Sequence, residues 1–145
     1  MAAVERLSTN EICRRAALVA AAHAWLETPF RHQGRRRGEG VDCIGLIVGV
    51  AADCGIALED HLDYPPRARG EALGAELRRQ LRPARAILPG AVLWMRFGDF
   101  PTHVGLCTGG GIIHAYEPER RVIEHGLGGR WRRRLVGVFD LPGVV

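Results

Sequence analysis

The sequence predicts an α+β domain, with helices in its first half and an antiparallel sheet in its second. Three observations predict it. Ser8-Thr9-Asn10-Glu11 forms a capping box ahead of an amphipathic pattern. The stretch from Cys43 to Ala52 carries no charge and has the flanks of a buried helix. After Pro89-Gly90 the apolar spacing shortens to the alternation of strands. Helices followed by strands, rather than alternating with them, is the α+β order. No repeat, low-complexity tract or long linker divides the chain, so residues 1–145 read as one domain.

The first helix is expected to run from the capping box to about Glu27, with Ile12, Ala16, Val19, His23 and Leu26 as its buried stripe. Thr28-Pro29 ends it, because the residue before a proline avoids helical backbone. A polar loop rich in Gly and Arg follows, from Arg31 to Gly40. Asp42 is a good N-cap for the next helix, and Gly55 stands where a helix stops. Cys43 is then the first residue of a central helix, and its twelve residues to Cys54 are too few to span a bilayer. Residues 56–68 read as loop, marked by Pro65-Pro66. A third helix spans about 70–82, with Leu73, Leu77 and Leu81 on one face. Strands are expected near 91–97, 102–107, 111–116, 121–125 and 135–139, with a hairpin turn at Gly109-Gly110-Gly111.

Composition excludes several classes. At 47% hydrophobic and 25% charged residues the chain is neither disordered nor fibrous. All twenty basic residues are Arg, giving a net charge of +4. The clusters at Arg35–Arg37 and Arg130–Arg134 read as solvated surface or as a protein contact, since no nucleic-acid motif accompanies them. No apolar run is long enough for membrane insertion. The opening residues MAAVERLSTN lack a basic segment followed by an apolar one, so synthesis in the bacterial cytoplasm without a signal peptide is expected.

The four cysteines, Cys13, Cys43, Cys54 and Cys107, contain no C-x-x-C pair, which argues against a zinc ribbon or a thioredoxin motif. Only Cys43 is placed at a helix start, where the helix dipole and a neighbouring imidazolium lower a thiol's pKa. The others read as packing residues. Alternation puts His103, Gly105 and Cys107 on one face of their strand, and Ile112, His114 and Tyr116 on one face of the next. If the central helix packs against that side, Cys43 meets His103 and His114 as nucleophile, base and orienting group. A zinc site built from the same three residues is the competing chemistry. His23, His61 and His125 read as structural or surface residues, Trp25 and Trp94 as core, and Trp131 as partly exposed.

Five strings occur in order: W-L-E-T-P-F-R-H-Q-G (25–34), G-V-D-C-I-G-L-I (40–47), L-P-G-A-V-L-W (88–94), H-V-G-L-C (103–107) and G-I-I-H-A (111–115). Together they resemble the NlpC family of cysteine peptidases, whose typical motifs are T-P-Y-x-x-G-G, D-C-S-G-L, P-G-D-L and H-V-G-I-Y. The resemblance spans about residues 20–140. It implies a papain-like fold, Cys43 as nucleophile, His103 as general base and acid, His114 as the third member orienting His103, and no cofactor or metal. It also implies peptidoglycan stem peptides as substrate, cut between D-glutamate and a diamino acid. The H-Q after T-P-F resembles the branch found in phage tails and gene transfer agents, which implies a virion tail-tip location with tail or hub proteins as partners. The alternative within that branch is a tail structural subunit with a weak or inactive site. Two departures from the motifs are Ile44 in place of Ser and Phe30 in place of Tyr. Phe30 has no hydroxyl for an oxyanion, which leaves the Cys43 N–H with His32 or Gln33 as candidate donors on the substrate side.

Overall fold

The computed structural model describes residues 6–65 and 70–145. Pro66 and the end of the expected 56–68 loop lie outside the described residues, as does the first half of the segment read for an export signal. Ser8 caps α1 (Thr9–His23) by accepting from the Glu11 N–H. A short hairpin, β1 (Arg35–Arg36) with β2 (Gly40–Val41), fills the Arg-rich loop and leads into α2 (Cys43–Asp53). Asp42 caps α2 through the Gly45 N–H, and Gly55 follows at φ +77°, a left-handed position that favours glycine. Next come α3 (Gly70–Gln80) and β3 (Arg82–Pro83). The sheet strands are β4 (Val92–Phe97), β5 (Phe100–Cys107), β6 (Gly111–Tyr116), β7 (Arg121–Gly126) and β8 (Leu135–Asp140), with a four-residue α4 (Gly129–Arg132) before β8.

The sheet order is β3-β8-β4-β5-β6-β7 and every neighbour pair is antiparallel. Its two faces do different work. Val92, Trp94, Val104, Leu106, Ile113 and Ala115 meet Leu46, Ile47 and Val50 of α2 in the main core. The opposite face carries Leu93, Met95, Cys107 and Ile112 under Leu127 and Trp131, a second and smaller cluster. The expectation that α2 would cover the histidine side is therefore corrected. Alternation places His103 opposite Val104, and Val104 is the residue packed with the helix.

The buried stripe of α1 is also rotated from the expected one. Glu11, Arg15, Leu18 and Ala22 face inward, whereas Ile12 is 52% exposed. The cause is a buried ion-pair group. The Arg15 guanidinium donates to Glu11 at 2.9 Å, to Asp140 of β8 at 3.0 Å and to the Pro89 carbonyl at 3.1 Å. Arg15 is only 3% exposed. A charge this deep holds its place only while fully partnered, so α1 is turned to aim Arg15 at the sheet end. Trp25 and Trp94 are core, as expected. Arg15→Ala leaves two buried carboxylates unpaired and is expected to cost about 3–5 kcal/mol of unfolding free energy, read by urea denaturation. A loss no larger than that of a surface arginine would show that the group contributes nothing.

Candidate active site

Asp42 sets the position of Cys43. Its carboxylate accepts from four donors: the Gly45 N–H at 2.7 Å, the Gln33 N–H at 2.8 Å, the Arg35 guanidinium at 3.0 Å and the Tyr64 hydroxyl. Arg35 also chelates Asp60 and donates to Tyr64, so this member of the 35–37 cluster is an internal tie rather than solvated surface. Gly45 is required at the helix start, because a Cβ there would lie 2.2 Å from the Gly34 carbonyl oxygen. The 31–41 loop is thus clamped onto the first turn of α2.

The Cys43 thiol is partly buried at that turn, near the backbone N–H groups of Ile44 and Val104. The Val104 contact sets the sulfur against the stretch of β5 that carries His103. The rings then form a chain. His103 Nε2 lies 2.7 Å from His114 Nδ1, and His114 Nε2 lies 2.9 Å from His125 Nε2. β5 and β6 are in register only at Leu106–Ile113 and Cys107–Ile112, so the strands part where the rings meet. Gly105 lies between them, and a Cβ there would come within 3.0 Å of the His114 Cβ. Trp131 closes this face with its ring 5.3 Å from His114 and 4.4 Å from His125. Arg134 stacks over Trp131 and Phe97.

Burial keeps these groups neutral. It pushes the Cys43 thiol up to about 12, with the Asp42 carboxylate adding to the rise. This reverses the lowering expected from the helix dipole, because desolvation of a thiolate outweighs the nearby backbone N–H groups. Burial likewise pulls His103 down to about 3, helped by the Arg134 charge, and His114 down to about 2. The resting pair is thiol and imidazole, not thiolate and imidazolium.

Of the candidate oxyanion residues, Phe30 is partly buried against the main core and gives its N–H to the Arg120 carbonyl. Gln33 spends its side-chain amide on the carbonyls of Leu62 and Tyr64. His32 sets its ring edge-on to Tyr64 at 5.5 Å. A cleft of about 580 Å³ is floored by Ile44, Val48, Leu58, Leu77 and Val104 and rimmed by acidic residues that include Asp63; its lining begins at Ile44, the residue after Cys43, and does not include Cys43, His103 or His114. Among the described residues no cluster of three His, Cys, Asp or Glu side chains is arranged to hold a metal, and the ring nitrogens of His114 are both engaged by other rings. Among those residues, too, no helix is long and apolar enough to cross a membrane.

The model of the NlpC/P60 family matches residues 27–140. The chain belongs to the NlpC/P60 family. Its fold is similar to that of a lipoprotein-like NLP/P60 protein of Staphylococcus aureus, at TM-score 0.64 and 18% identity over 94% of this chain and 43% of that one. It is similar to the NlpC/P60 domain of the peptidoglycan hydrolase SagA, at TM-score 0.61 and 22% identity over 88% of this chain and 98% of that domain. It also resembles the peptidoglycan hydrolase RipB of Mycobacterium tuberculosis, at TM-score 0.60 and 17% identity over 93% and 67%. This NlpC/P60 chain thus spans about two fifths of the Staphylococcus structure's length. Comparison with the curated proteins gives no match.

Sequence reasoning missed two residues of this NlpC/P60 site. Tyr64 lies in a loop with no periodic signal and reaches Asp42 from twenty-two positions away. His125, read as structural or surface, ends the ring chain.

The shifts fix a stability window. A depressed imidazole contributes stability that is full above its ordinary value of 6.5 and is lost as pH falls toward about 3 for His103. A raised thiol contributes stability that is full below 9.0 and is lost as pH rises toward about 12. Thermal melts are expected to plateau between those limits and to fall on both sides. His103→Phe, which cannot take up a proton, should make the acid limb shallower, with His114 supplying the rest; an unchanged acid limb would show that His103 takes up a proton equally in the native and unfolded states.

Proposed function

We propose that this NlpC/P60 chain is a cysteine peptidase that hydrolyses peptidoglycan stem peptides, at the bond between D-glutamate and the diamino acid. The observation that carries the reading is the neutral thiol held at a helix start against the strand of His103, with His114 bonded to the far side of that ring. Cys43 is the nucleophile, His103 the base and acid, and His114 the orienting group. As Sγ attacks the carbonyl carbon, its proton passes to the ring nitrogen of His103 that His114 leaves free. The Cys43 N–H, at the open start of α2, is placed to donate to the oxyanion. His103 then returns the proton to the departing amine, leaving a thioester, and water activated by the same ring releases the acid. The apolar cleft with its acidic rim suits a peptide whose diamino acid carries a free amine.

Digestion of purified peptidoglycan, with fragments identified by mass spectrometry, tests this. Release of D-glutamyl ends is expected from the wild type and none from Cys43→Ala. His114→Asn, whose amide oxygen accepts the same bond, should keep much of the rate. His114→Ala should lose roughly 10–100-fold, the scale of lost orienting groups at metal sites. Intact wall after prolonged incubation, with Cys43 reduced and the fold present, would instead favour a structural role. The further proposal of a phage or gene transfer agent tail as carrier rests on the T-P-F-R-H-Q string, with the exposed Arg130, Arg132 and Arg133 as the face offered to a tail protein. It requires the chain to be found in purified particles.

A further inference from the structure

Three histidines in hydrogen-bonded sequence allow only two proton arrangements, and they have opposite consequences at Cys43. Each ring-to-ring contact joins one N–H to one bare nitrogen, so the state of one ring dictates the next. In one arrangement His103 donates from Nε2 and keeps Nδ1 bare, able to accept the thiol proton. In the other every bond runs backwards, His103 Nδ1 carries hydrogen, and no base faces the sulfur. His103 and His114 cannot decide between them, because each has a ring on its far side.

The end of the chain decides it. His125 Nδ1 lies 2.9 Å from the Gly126 carbonyl oxygen. A carbonyl only accepts, so that nitrogen carries hydrogen. In neutral His125 the remaining Nε2 is then bare and must accept from His114 Nε2 at 2.9 Å. His114 Nδ1 is bare in turn and accepts from His103 Nε2 at 2.7 Å. Trp131, packed 4.4 Å from the His125 ring, holds it in this pose.

We propose that His125 is a positioning residue of the site: anchored on the Gly126 carbonyl, it fixes the tautomer of His114 and, through it, leaves Nδ1 of His103 free for the thiol proton. It touches neither thiol nor substrate. The assignment rests on Cys43 and His103 acting as a nucleophile–base pair, and it holds for any substrate. Burial of both inner rings favours the neutral states that the chain needs.

Imidazole 15N NMR of the full chain tests it directly, alongside alkylation of Cys43 by iodoacetamide at pH 8, which requires no knowledge of the substrate. In the wild type, hydrogen is expected on Nε2 of His103, on Nε2 of His114 and on Nδ1 of His125. His125→Ala should mix the tautomers of the two inner rings and slow alkylation and peptide hydrolysis alike by about tenfold, the lower end of the cost of a lost orienting group. His125→Gln, whose amide oxygen accepts the same bond, should recover most of the loss. His125→Lys, which only donates, should impose the reversed order and fall at least as far as the alanine variant. Hydrogen on Nδ1 of His103 in the wild type overturns the proposal even if no variant folds. So does His125→Ala with unchanged alkylation, and a drop in hydrolysis alone would assign His125 to substrate contact. Failure of the peptidoglycan reading leaves the NMR and alkylation results intact, so the two failures are distinguishable.

Discussion

One carboxylate organises the front of the molecule. Asp42 accepts from the α2 backbone, the backbone at Gln33, the Arg35 guanidinium and the Tyr64 hydroxyl. Those donors come from the start of α2, the 31–41 loop and the stretch ending at Tyr64, and neither of the last two is long enough to hold its shape by secondary structure. The β1–β2 hairpin has two residues per strand, and the Leu58–Tyr64 stretch has no regular structure. A buried carboxylate is tolerated only when its lone pairs are filled, so the energy that keeps Asp42 in place also keeps the loops in place. The helix start that carries Cys43 is thereby fixed before any catalytic contact is made.

The same burial sets the chemistry. Burial raises the Cys43 thiol and lowers the His103 and His114 imidazoles, so these three groups are uncharged at rest beside the Asp42 carboxylate and the Arg134 guanidinium. The Arg134 guanidinium, stacked on Phe97 and Trp131, adds to the cost of protonating His103. Neutral rings also make the direction of each hydrogen bond matter, since every nitrogen must be either donor or acceptor.

Much of this was legible in the sequence where local rules suffice. The Ser8 and Asp42 caps, the uncharged run from Cys43 to Ala52 and the alternation in β4 to β8 gave element positions within a few residues, because caps and periodicity act locally. The buried face of α1 was not legible. A stripe read from apolar residues cannot anticipate that Arg15 turns inward to Asp140, 125 positions away. The helix-dipole argument for a lowered thiol failed for a similar reason, since it omitted the enclosure that only the tertiary fold creates. His125 was within reach, however. Expected strands ending at 116 and beginning at 121 pair Tyr116 with Arg121, and this register sets Ile112 opposite His125. Paired residues share a face, so His125 had to lie beside His114. Reading the strands singly, without closing the hairpin, concealed it.

The sheet explains why the site needs so few residues. Successive positions on β5 serve opposite faces, with Val104 in the core under α2 and His103 in the ring chain. Cys43, at the start of α2, lies near the β5 backbone at Val104, the residue after His103, although α2 packs on the other face of the strand. Gly105 then leaves the space in which His114 approaches, and the loss of register beyond Leu106 lets the two rings bond directly. A Cβ at 105 would meet the buried Ile112 side chain at 2.6 Å as well as the His114 Cβ at 3.0 Å, so this glycine makes room both for the second core cluster and for the ring contact. The constraint on H-V-G is therefore one of packing against Ile112 and of the His103–His114 contact together.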